Sequence, residues 1–262
     1  MMKNIEVKVT GTGSYLPGRP VPFDEIERYL GAITDAPPQV MRWLKRIGPV
    51  MKEMLDIEYY HYAINPETRA YDDDNVSMSV KAARAALEAA KLASADIDFI
   101  AYGSAHMDQM PTASVRIQEE LGIERCAEIG VHANCTSAYK ALLVANDMIR
   151  NGRFRKALVL SSSVSTSELR AEYYNQPLAT KEDLFLRWFL CDGAGALVLE
   201  AADDKKSGLF VECCHMESVG GRKPSAMGNK RPAYWMNPKE EYEKGCHHLA
   251  QMFQEELRAN FH

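Results

Sequence analysis

The chain has 262 residues, of which 46% are hydrophobic and 26% charged, so it can bury a substantial core as one large or two small domains. Its formal net charge is -5 and its basic residues form no run, which argues against nucleic acid as a partner. No segment has the length of a membrane-spanning helix and the N-terminus lacks the apolar core of a signal peptide, so we expect a cytoplasmic protein without a membrane partner.

The first predicted element is a strand over 5–10, followed by a turn-rich loop over 11–18. The strand residues alternate in polarity, and glycine, serine and proline then dominate. Gly11 and Gly13 match only part of a dinucleotide-binding fingerprint, because Leu16 stands where the third glycine belongs. The sequence therefore predicts a surface loop here and no nucleotide site.

Helices and strands alternate through the middle of the sequence. Asn75 is a predicted N-cap, and apolar residues follow it at helical spacing up to Ala90. This alternation favours an α/β fold in which a mainly parallel sheet is covered by helices. The elements predicted after that helix are a strand over 97–102, a helix over 113–121, a strand over 128–133, a helix over 136–150 and a strand over 157–161.

A glycine-bearing turn at 192–195 leads into another apolar strand, which ends at Glu200. The polar residues after it indicate a connection over 203–207. We therefore predict a boundary that divides the chain into residues 1–202 and 203–262. The elements predicted beyond the boundary are a strand over 209–216, a loop over 220–232 and a helix over 238–259.

The most informative stretch is the one in which an apolar strand stops at Cys135 and a helix begins at once. A thiol at a helix N-terminus lies near unpaired backbone N–H groups and the positive end of the helix dipole. Both favour the thiolate, which is the nucleophilic form of cysteine. The alternative is that Cys135 is a small buried hydrophobic residue, as most free cysteines are.

The other five cysteines lack this setting, and we expect them in the core. A metal site from Cys213, Cys214 and His215 would need three adjacent strand residues to converge, which the alternation of a strand opposes. The irregular spacing indicates no disulfide framework either. We therefore predict no metal site, and the cysteines assigned to the core are Cys126, Cys191, Cys213, Cys214 and Cys246.

Several motifs follow one another in a fixed order along the chain. They are Gly11-Thr-Gly-Ser-Tyr-Leu-Pro, Met110-Pro-Thr-Ala with Gln118-Glu-Glu-Leu-Gly-Ile, Asn134-Cys-Thr-Ser-Ala-Tyr, and Cys191-Asp-Gly-Ala-Gly-Ala-Leu-Val-Leu. Together, from Val7 to about Asn260, they resemble the β-ketoacyl-ACP synthase III family of thiolase-fold condensing enzymes. In that family the position of Cys135 is the acyl-accepting nucleophile.

The resemblance implies a two-step reaction that uses acyl-CoA and malonyl-ACP as substrates and no further cofactor. Cys135 takes the acyl group from acyl-CoA, and the decarboxylating malonyl-ACP then attacks the thioester. The resemblance also implies a homodimer, an acyl carrier protein as partner, and a Met110 side chain that reaches toward the acyl pocket of the partner subunit. The alternative for Met110 is an ordinary core methionine.

Two further positions receive no catalytic role. His132 lies three residues before Cys135 and would face the other way on a strand, so we expect a buried or interface histidine. Arg187 and Trp188 precede Cys191 in the sequence. One possibility is that these two residues line a pocket or a dimer contact. The alternative is that they are core and surface residues at the end of a strand.

The chain departs from the family toward its C-terminus. The family carries a His in a His-Gln-Ala motif and an Asn in a Gly-Asn motif, which serve decarboxylation and bind the developing oxyanion. Neither is found at the corresponding place in this chain. The expected fold is therefore thiolase-like with its first half complete and its second half truncated, and either a longer chain or another polypeptide supplies the rest.

Three functions stay open at this point. The first is the ketosynthase reaction, and the second keeps the acyl-cysteine step but passes the acyl group to an alcohol or an amine. The third is a non-catalytic subunit with a thiolase fold. Thr136 and Ser137 differ from the small residue and glycine that commonly follow the nucleophile of the family, so the acyl-chain preference is also open.

Overall fold

The computed structural model of the chain describes residues 5–105, 110–177, 179, 181–188, 190–202 and 207–217. These residues form two units, of which the first holds 5–18, 71–164 and 192–217 and the second holds 19–70 and 165–191. The elements in chain order are β1 (Glu6–Tyr15), β2 (Val21–Pro22), α1 (Ile26–Leu30), α2 (Pro38–Leu55), β3 (Tyr59–Tyr60), α3 (Asn75–Ala90), β4 (Phe99–Ser104), α4 (Ala113–Glu120), β5 (Ala127–His132), α5 (Ser137–Arg150), β6 (Lys156–Ser163), α6 (Thr166–Leu169), α7 (Lys181–Phe185), β7 (Gly193–Ala202) and β8 (Leu209–Phe210).

The first unit is built on a six-stranded sheet with the order β5-β4-β6-β7-β1-β8. Strand β4 pairs in parallel with β5 and β6, whereas β7 is antiparallel to both β6 and β1, and β8 is antiparallel to β1. Four of the six strands, β1, β4, β5 and β6, therefore run in one direction. The predicted α/β fold with a mainly parallel sheet covered by helices is confirmed.

Helices cover the sheet of the first unit on both faces. Helices α3 and α4 bury one face, where Ile100 and Tyr102 of β4 point. Helix α5 packs on the other face, where Phe99 and Ala101 of the same strand point. The alternation along β4 is the period of two that a strand buried on both faces requires.

The predicted loop over 11–18 is wrong for its first five residues, because β1 continues to Tyr15. The glycines there mark close packing and not a turn. A Cβ atom at Gly11 would lie 2.1 Å from the carbonyl oxygen of Ala86, and one at Gly13 would lie 2.1 Å from that of Ala82. Only residues without a side chain allow α3 to lie this close to the strand.

Helix α3 begins one residue earlier than predicted, because Asp74 and not Asn75 is the N-cap. The Asp74 carboxylate accepts a 2.7 Å hydrogen bond from the backbone N–H of Ser77, and the Ser77 hydroxyl accepts one of 3.0 Å from the Asp74 N–H. This reciprocal capping box satisfies two donors that would otherwise be unpaired at the start of the helix.

The strand predicted over 209–216 is only two residues long as β8, because the chain leaves the sheet after Val211, whose N–H still donates to the carbonyl oxygen of Val7 at 2.9 Å. Residues 211–217, which we call the strap, lie along α5 instead. The connection over 203–206, the loop over 220–232 and the helix over 238–259 lie outside the described residues. The boundary at 202/203 stays a prediction.

The second unit has its own core of aromatic and aliphatic side chains around a two-stranded antiparallel sheet of β2 and β3. Arg187 is buried here, as the core alternative for this residue predicted. Its guanidinium donates to the carbonyl oxygens of Leu169 at 2.9 Å and Gly31 at 2.6 Å, and it stacks on the ring of Tyr174. Backbone oxygens thus compensate for the burial of this charge.

None of the helices in the part of the chain that the structure describes combines the length and the apolar character that a membrane crossing needs.

A buried carboxylate links β1 to α3 in the first unit. Asp73 accepts hydrogen bonds from the Tyr15 hydroxyl at 2.8 Å and the Ser77 hydroxyl at 2.7 Å, and it pairs with the Lys81 ammonium. Burial alone would raise the pKa of Asp73, but the hydrogen bonds from Lys81, Ser77 and Tyr15 outweigh it and hold the pKa below its ordinary value. The charged form therefore stabilises the fold.

We predict that Asp73→Asn lowers the free energy of unfolding at pH 7 by about 2 kcal/mol, because charge-assisted hydrogen bonds are lost. A depressed pKa contributes stability above the ordinary aspartate pKa of about 3.9, and this is lost as the pH falls through the folded value. Urea unfolding between pH 7 and pH 2.5 measures both effects. Asp72→Asn, an exposed neighbour, is the control. Equal acid sensitivity of wild type and Asp73→Asn would contradict the prediction.

Candidate active site

Cys135 lies in a tight turn between β5 and α5. The N–H of Ser137 donates to the carbonyl oxygen of Asn134 at 3.0 Å, and Thr136 has φ -84° and ψ -1°. These values identify a type I turn with Cys135 at its second position. The helix then follows without a break, since the N–H of Lys140 donates to the carbonyl oxygen of Thr136 at 2.9 Å.

The Cys135 side chain is exposed, so the alternative of a small buried hydrophobic residue is wrong. The prediction that the other cysteines belong to the core is wrong for Cys191 and Cys213, which are also exposed, while Cys126 and Cys214 are half-buried. Cys246 lies outside the described residues. Burial, reinforced by nearby carboxylates, raises the pKa of the Cys126 thiol to about 11. Cys126 is therefore a thiol at neutral pH and a poor nucleophile.

The helix N-terminus beside Cys135 has no side-chain cap from its N-cap residue, although the N–H of Ser137 is already paired with the carbonyl oxygen of Asn134. Thr136 is the N-cap of α5, but its side chain makes no capping hydrogen bond. The backbone N–H groups in the first turn of a helix have no acceptor within the helix. Such donors attract negative charge, whether on a thiolate or on the oxygen of a tetrahedral intermediate.

The strap is held on the exposed side of α5 at both ends of the helix. Near the C-terminal end, Arg150 donates to the carbonyl oxygens of Val211 at 2.6 Å and Glu212 at 3.3 Å. Near the N-terminal end, the Tyr139 hydroxyl donates to the carbonyl oxygen of His215 at 2.9 Å and accepts from its N–H at 2.7 Å. The strap therefore runs toward the turn that holds Cys135.

An apolar groove of about 350 Å³ lies on the same side of the sheet as α5. Its walls are Ala138, Tyr139 and Leu142 of α5 and residues of β1, β6 and β7. These three helical residues are three, four and seven positions after Cys135, which is the spacing of one face of a helix. Cys135 itself is not a wall of the groove, but it lies in the turn that leads directly into the helix whose first turns line it.

The remaining residues considered from the sequence lie on the surface. Met110 is 92% exposed in this chain, so the alternative of a core methionine is wrong. His132 is exposed at the end of β5, which among the described residues pairs on one side only, so the buried alternative for this histidine is wrong and the interface alternative stays a prediction. Among the described residues, no group of three histidine, cysteine or acidic side chains could hold a metal ion.

The fold is that of thiolase-like condensing enzymes. The 3-oxoacyl-ACP synthase III of Aquifex aeolicus superposes with a TM-score of 0.57 at 21% identity, covering 76% of this chain and 55% of that one. The priming β-ketosynthase of a polyketide biosynthetic pathway superposes with a TM-score of 0.57 at 26% identity, covering 78% and 52%. The predicted thiolase-like fold is therefore confirmed.

Sequence comparison assigns the chain more closely. It is 34% identical over 197 residues to the β-ketoacyl-ACP synthase III of Roseobacter denitrificans, an alignment that covers 74% of this chain and 51% of the relative. The chain belongs to the family described as Stage V sporulation protein AD (SpoVAD), whose sequence model matches residues 42–236. The predicted resemblance to β-ketoacyl-ACP synthase III is confirmed, and the chain spans about half the length of the curated relatives it matches.

Sequence reasoning identified the cysteine turn but missed the strap and the groove. The strap was predicted as a continuing strand, because Leu209 to Met216 is rich in apolar residues. Tyr139 carried no local signal, since its partner lies 76 residues further along the chain. The groove depends on which part of the sheet α5 leaves uncovered, and no sequence pattern encodes this directly.

We predict that Tyr139→Phe loosens the strap, because the two hydrogen bonds to His215 are lost at about 1 kcal/mol each. Backbone amides in 211–217 should exchange with deuterium about ten-fold faster, while those of the buried strands keep their rates. Native-state hydrogen exchange followed by mass spectrometry measures this. Tyr59→Phe removes the hydroxyl of another exposed tyrosine and should leave the strap unchanged. Unchanged exchange at His215 in Tyr139→Phe would refute the assignment.

Proposed function

We propose that this chain carries the acyl-accepting half of a 3-oxoacyl-ACP synthase III-like enzyme, with Cys135 as the nucleophile. The Cys135 thiolate attacks the thioester carbonyl of an acyl-CoA, a bond forms between Sγ and the acyl carbon, and the bond to the CoA sulfur breaks. CoA leaves as a thiol and takes up the proton that Cys135 lost, so the step is a thioester exchange.

The observation that carries the proposal is the exposed Cys135 beside a helix N-terminus that the Thr136 side chain does not cap. The thiol of Cys135 is accessible, and the first turn of α5 has backbone N–H groups that the side chain of Thr136 does not cap. In the proposed reaction these donors stabilise negative charge on sulfur before the attack and on the carbonyl oxygen during it.

The apolar groove supports an acyl substrate in particular. Ala138, Tyr139 and Leu142 line it on the helical face that begins at Cys135, and β1, β6 and β7 supply the rest. An acyl chain bound to Sγ would lie along this face and leave water, with a gain of about 0.8 kcal/mol for each buried methylene group. A charged or strongly polar substituent would find few partners there.

We propose that the second step is a decarboxylating condensation with malonyl-ACP. Malonyl-ACP loses its carboxyl group as CO₂, the electron pair left on carbon attacks the acyl-Cys135 thioester, and the carbon–sulfur bond breaks as the cysteine regains a proton. Two relatives, those of Roseobacter denitrificans and Neisseria meningitidis, bear the name β-ketoacyl-ACP synthase III, which supports this reaction class. A cytoplasmic location follows from the same proposal.

We also propose a homodimer in which Met110 contributes to the acyl site of the partner subunit. Two observations support it. Within the part of the chain that the structure describes, β5 is an edge of the sheet and pairs with β4 alone. Met110 is 92% exposed, so its apolar side chain is available for contact with a second copy of the chain.

A second candidate is a non-catalytic subunit with a thiolase fold. The family match favours it, because that family is described by its part in sporulation and not by a reaction. The exposed Cys135 beside a helix N-terminus without a side-chain cap from Thr136 favours the enzyme. The two candidates differ in one measurable property, which is whether Cys135 becomes acylated.

We predict that incubation of the full chain with a panel of acyl-CoAs adds one acyl group, detected by intact-protein mass spectrometry. The increment should be absent in Cys135→Ala, because the nucleophile is missing. Cys191→Ala, which removes another exposed thiol, should be acylated as fast as the wild type. Linear acyl chains of increasing length should react faster until the groove is filled.

The outcomes separate the candidates. No acyl increment with any acyl-CoA supports the non-catalytic subunit and overturns the enzyme. An increment that survives in Cys135→Ala assigns the reaction to another residue. For an acylated chain, the products formed with malonyl-ACP, with an alcohol and with an amine then distinguish the condensation from simple acyl transfer.

A further inference from the structure

The side chains that β4 presents to α5 become smaller toward the carboxyl end of the strand. They are Phe99, Ala101 and Gly103, at the period of two that places them on one face. Phe99 stacks on Phe154 with ring centroids 4.8 Å apart. The strand thus offers a bulky surface at its start and a bare backbone at its end.

The first turn of α5 lies directly on this bare backbone. A Cβ atom at Gly103 would be 2.3 Å from the carbonyl oxygen of Ser137, 2.5 Å from its carbonyl carbon and 3.0 Å from the backbone nitrogen of Ala138. All three are backbone atoms, so no side-chain rotation could relieve the overlap. The first turn of α5 would have to move away from the sheet by about 1 Å to restore ordinary contact.

Ser104, the residue after Gly103, contacts the chain that enters the cysteine turn. The carbonyl oxygen of Ser104 accepts from the N–H of Ala133 at 3.3 Å. The Ser104 hydroxyl, which is buried, donates to the carbonyl oxygen of Ser162 on β6 at 2.9 Å. The end of β4 is therefore fixed to the sheet on one side and to the chain just before Cys135 on the other.

We infer that Gly103 and Ser104 are positioning residues for Cys135, which rests on the proposed acyl-accepting function. Gly103 sets how deep the first turn of α5 lies, and Ser104 fixes the chain that enters the turn. Neither residue reacts. Together they determine where the Cys135 sulfur stands relative to the helix N-terminus and to the groove.

The test compares Gly103→Ala with Gly11→Ala in the full chain. Gly11 is an equally close approach, with a Cβ atom 2.1 Å from the carbonyl oxygen of Ala86, but it faces α3 on the opposite side of the sheet. Both variants should lower the melting temperature. Only Gly103→Ala should slow acylation at saturating acyl-CoA, by about 100-fold, because misplacement of a reacting group by about 1 Å has that effect.

The concentration of acyl-CoA at half-saturation should change little in either variant, since binding is not the step affected. Hydrogen exchange provides a second readout. In Gly103→Ala the amides of Ser137 and Lys140 should exchange faster, and in Gly11→Ala those of α3 should do so instead. If Gly103→Ala is acylated as fast as Gly11→Ala, whether or not both variants are slower than the wild type, the inference is overturned.

Ser104→Ala keeps the test decisive if Gly103→Ala does not fold, because it adds no atom. Loss of the bond to Ser162 should slow acylation at least three-fold, and a wild-type rate overturns the inference. If no acyl-CoA reacts with the wild type, the proposed function fails, and the positioning role is then tested by a different reaction. The rate at which iodoacetamide alkylates Cys135 is measured relative to that of Cys191 in the same digest. Gly103→Ala should then be alkylated about three-fold more slowly and Gly11→Ala at the wild-type rate.

Discussion

The close approach of a helix to each face of the central sheet is the constraint on which the first unit depends. At Gly11 and Gly13 the backbone of β1 meets carbonyl oxygens of α3, and at Gly103 the backbone of β4 meets the first turn of α5. Interiors packed at this density transmit displacements, since no free volume absorbs an added atom. The position of each helix along and above the sheet is therefore set by a few residues that have no side chain.

This constraint explains why the candidate site is made from a short stretch of chain. Strand β5 brings the backbone to the edge of the sheet, a type I turn places Cys135, and α5 begins two residues later on the bare end of β4. The helix lies low enough there for its apolar face to form a groove with the neighbouring strands. The thiol, the N–H donors and the groove thus come from one strand–turn–helix segment and the sheet beneath it.

Much of this arrangement could be predicted from the sequence, because local patterns encode it. The helix that follows Cys135 was predicted to within one residue of its start, and the strand before it to within one residue at each end. The type of each element follows from hydrophobic periodicity, and the turn follows from the abrupt change of period at the cysteine.

The errors share a physical cause, which is that distant partners decided the outcome. Gly11 and Gly13 lie in a strand on which α3 packs backbone to backbone, although glycine is more typical of turns. Residues after Val211 leave the sheet, and Tyr139 and Arg150 bind the backbone of the strap along α5. The strand predicted over 97–102 stops before Gly103, whereas β4 continues to Ser104, so the close approach at Gly103 was not predicted.

The same geometry separates the two chemical steps of the proposed reaction. Acylation needs a thiol, backbone donors and an apolar surface, and the first unit contains all three around Cys135. Condensation also needs groups that promote decarboxylation and bind an oxyanion, and these come from other parts of a condensing enzyme. Because the acyl-accepting groups lie on one rigid segment, the first step depends on the seating of α5 on β4 and is independent of how the second step is supplied.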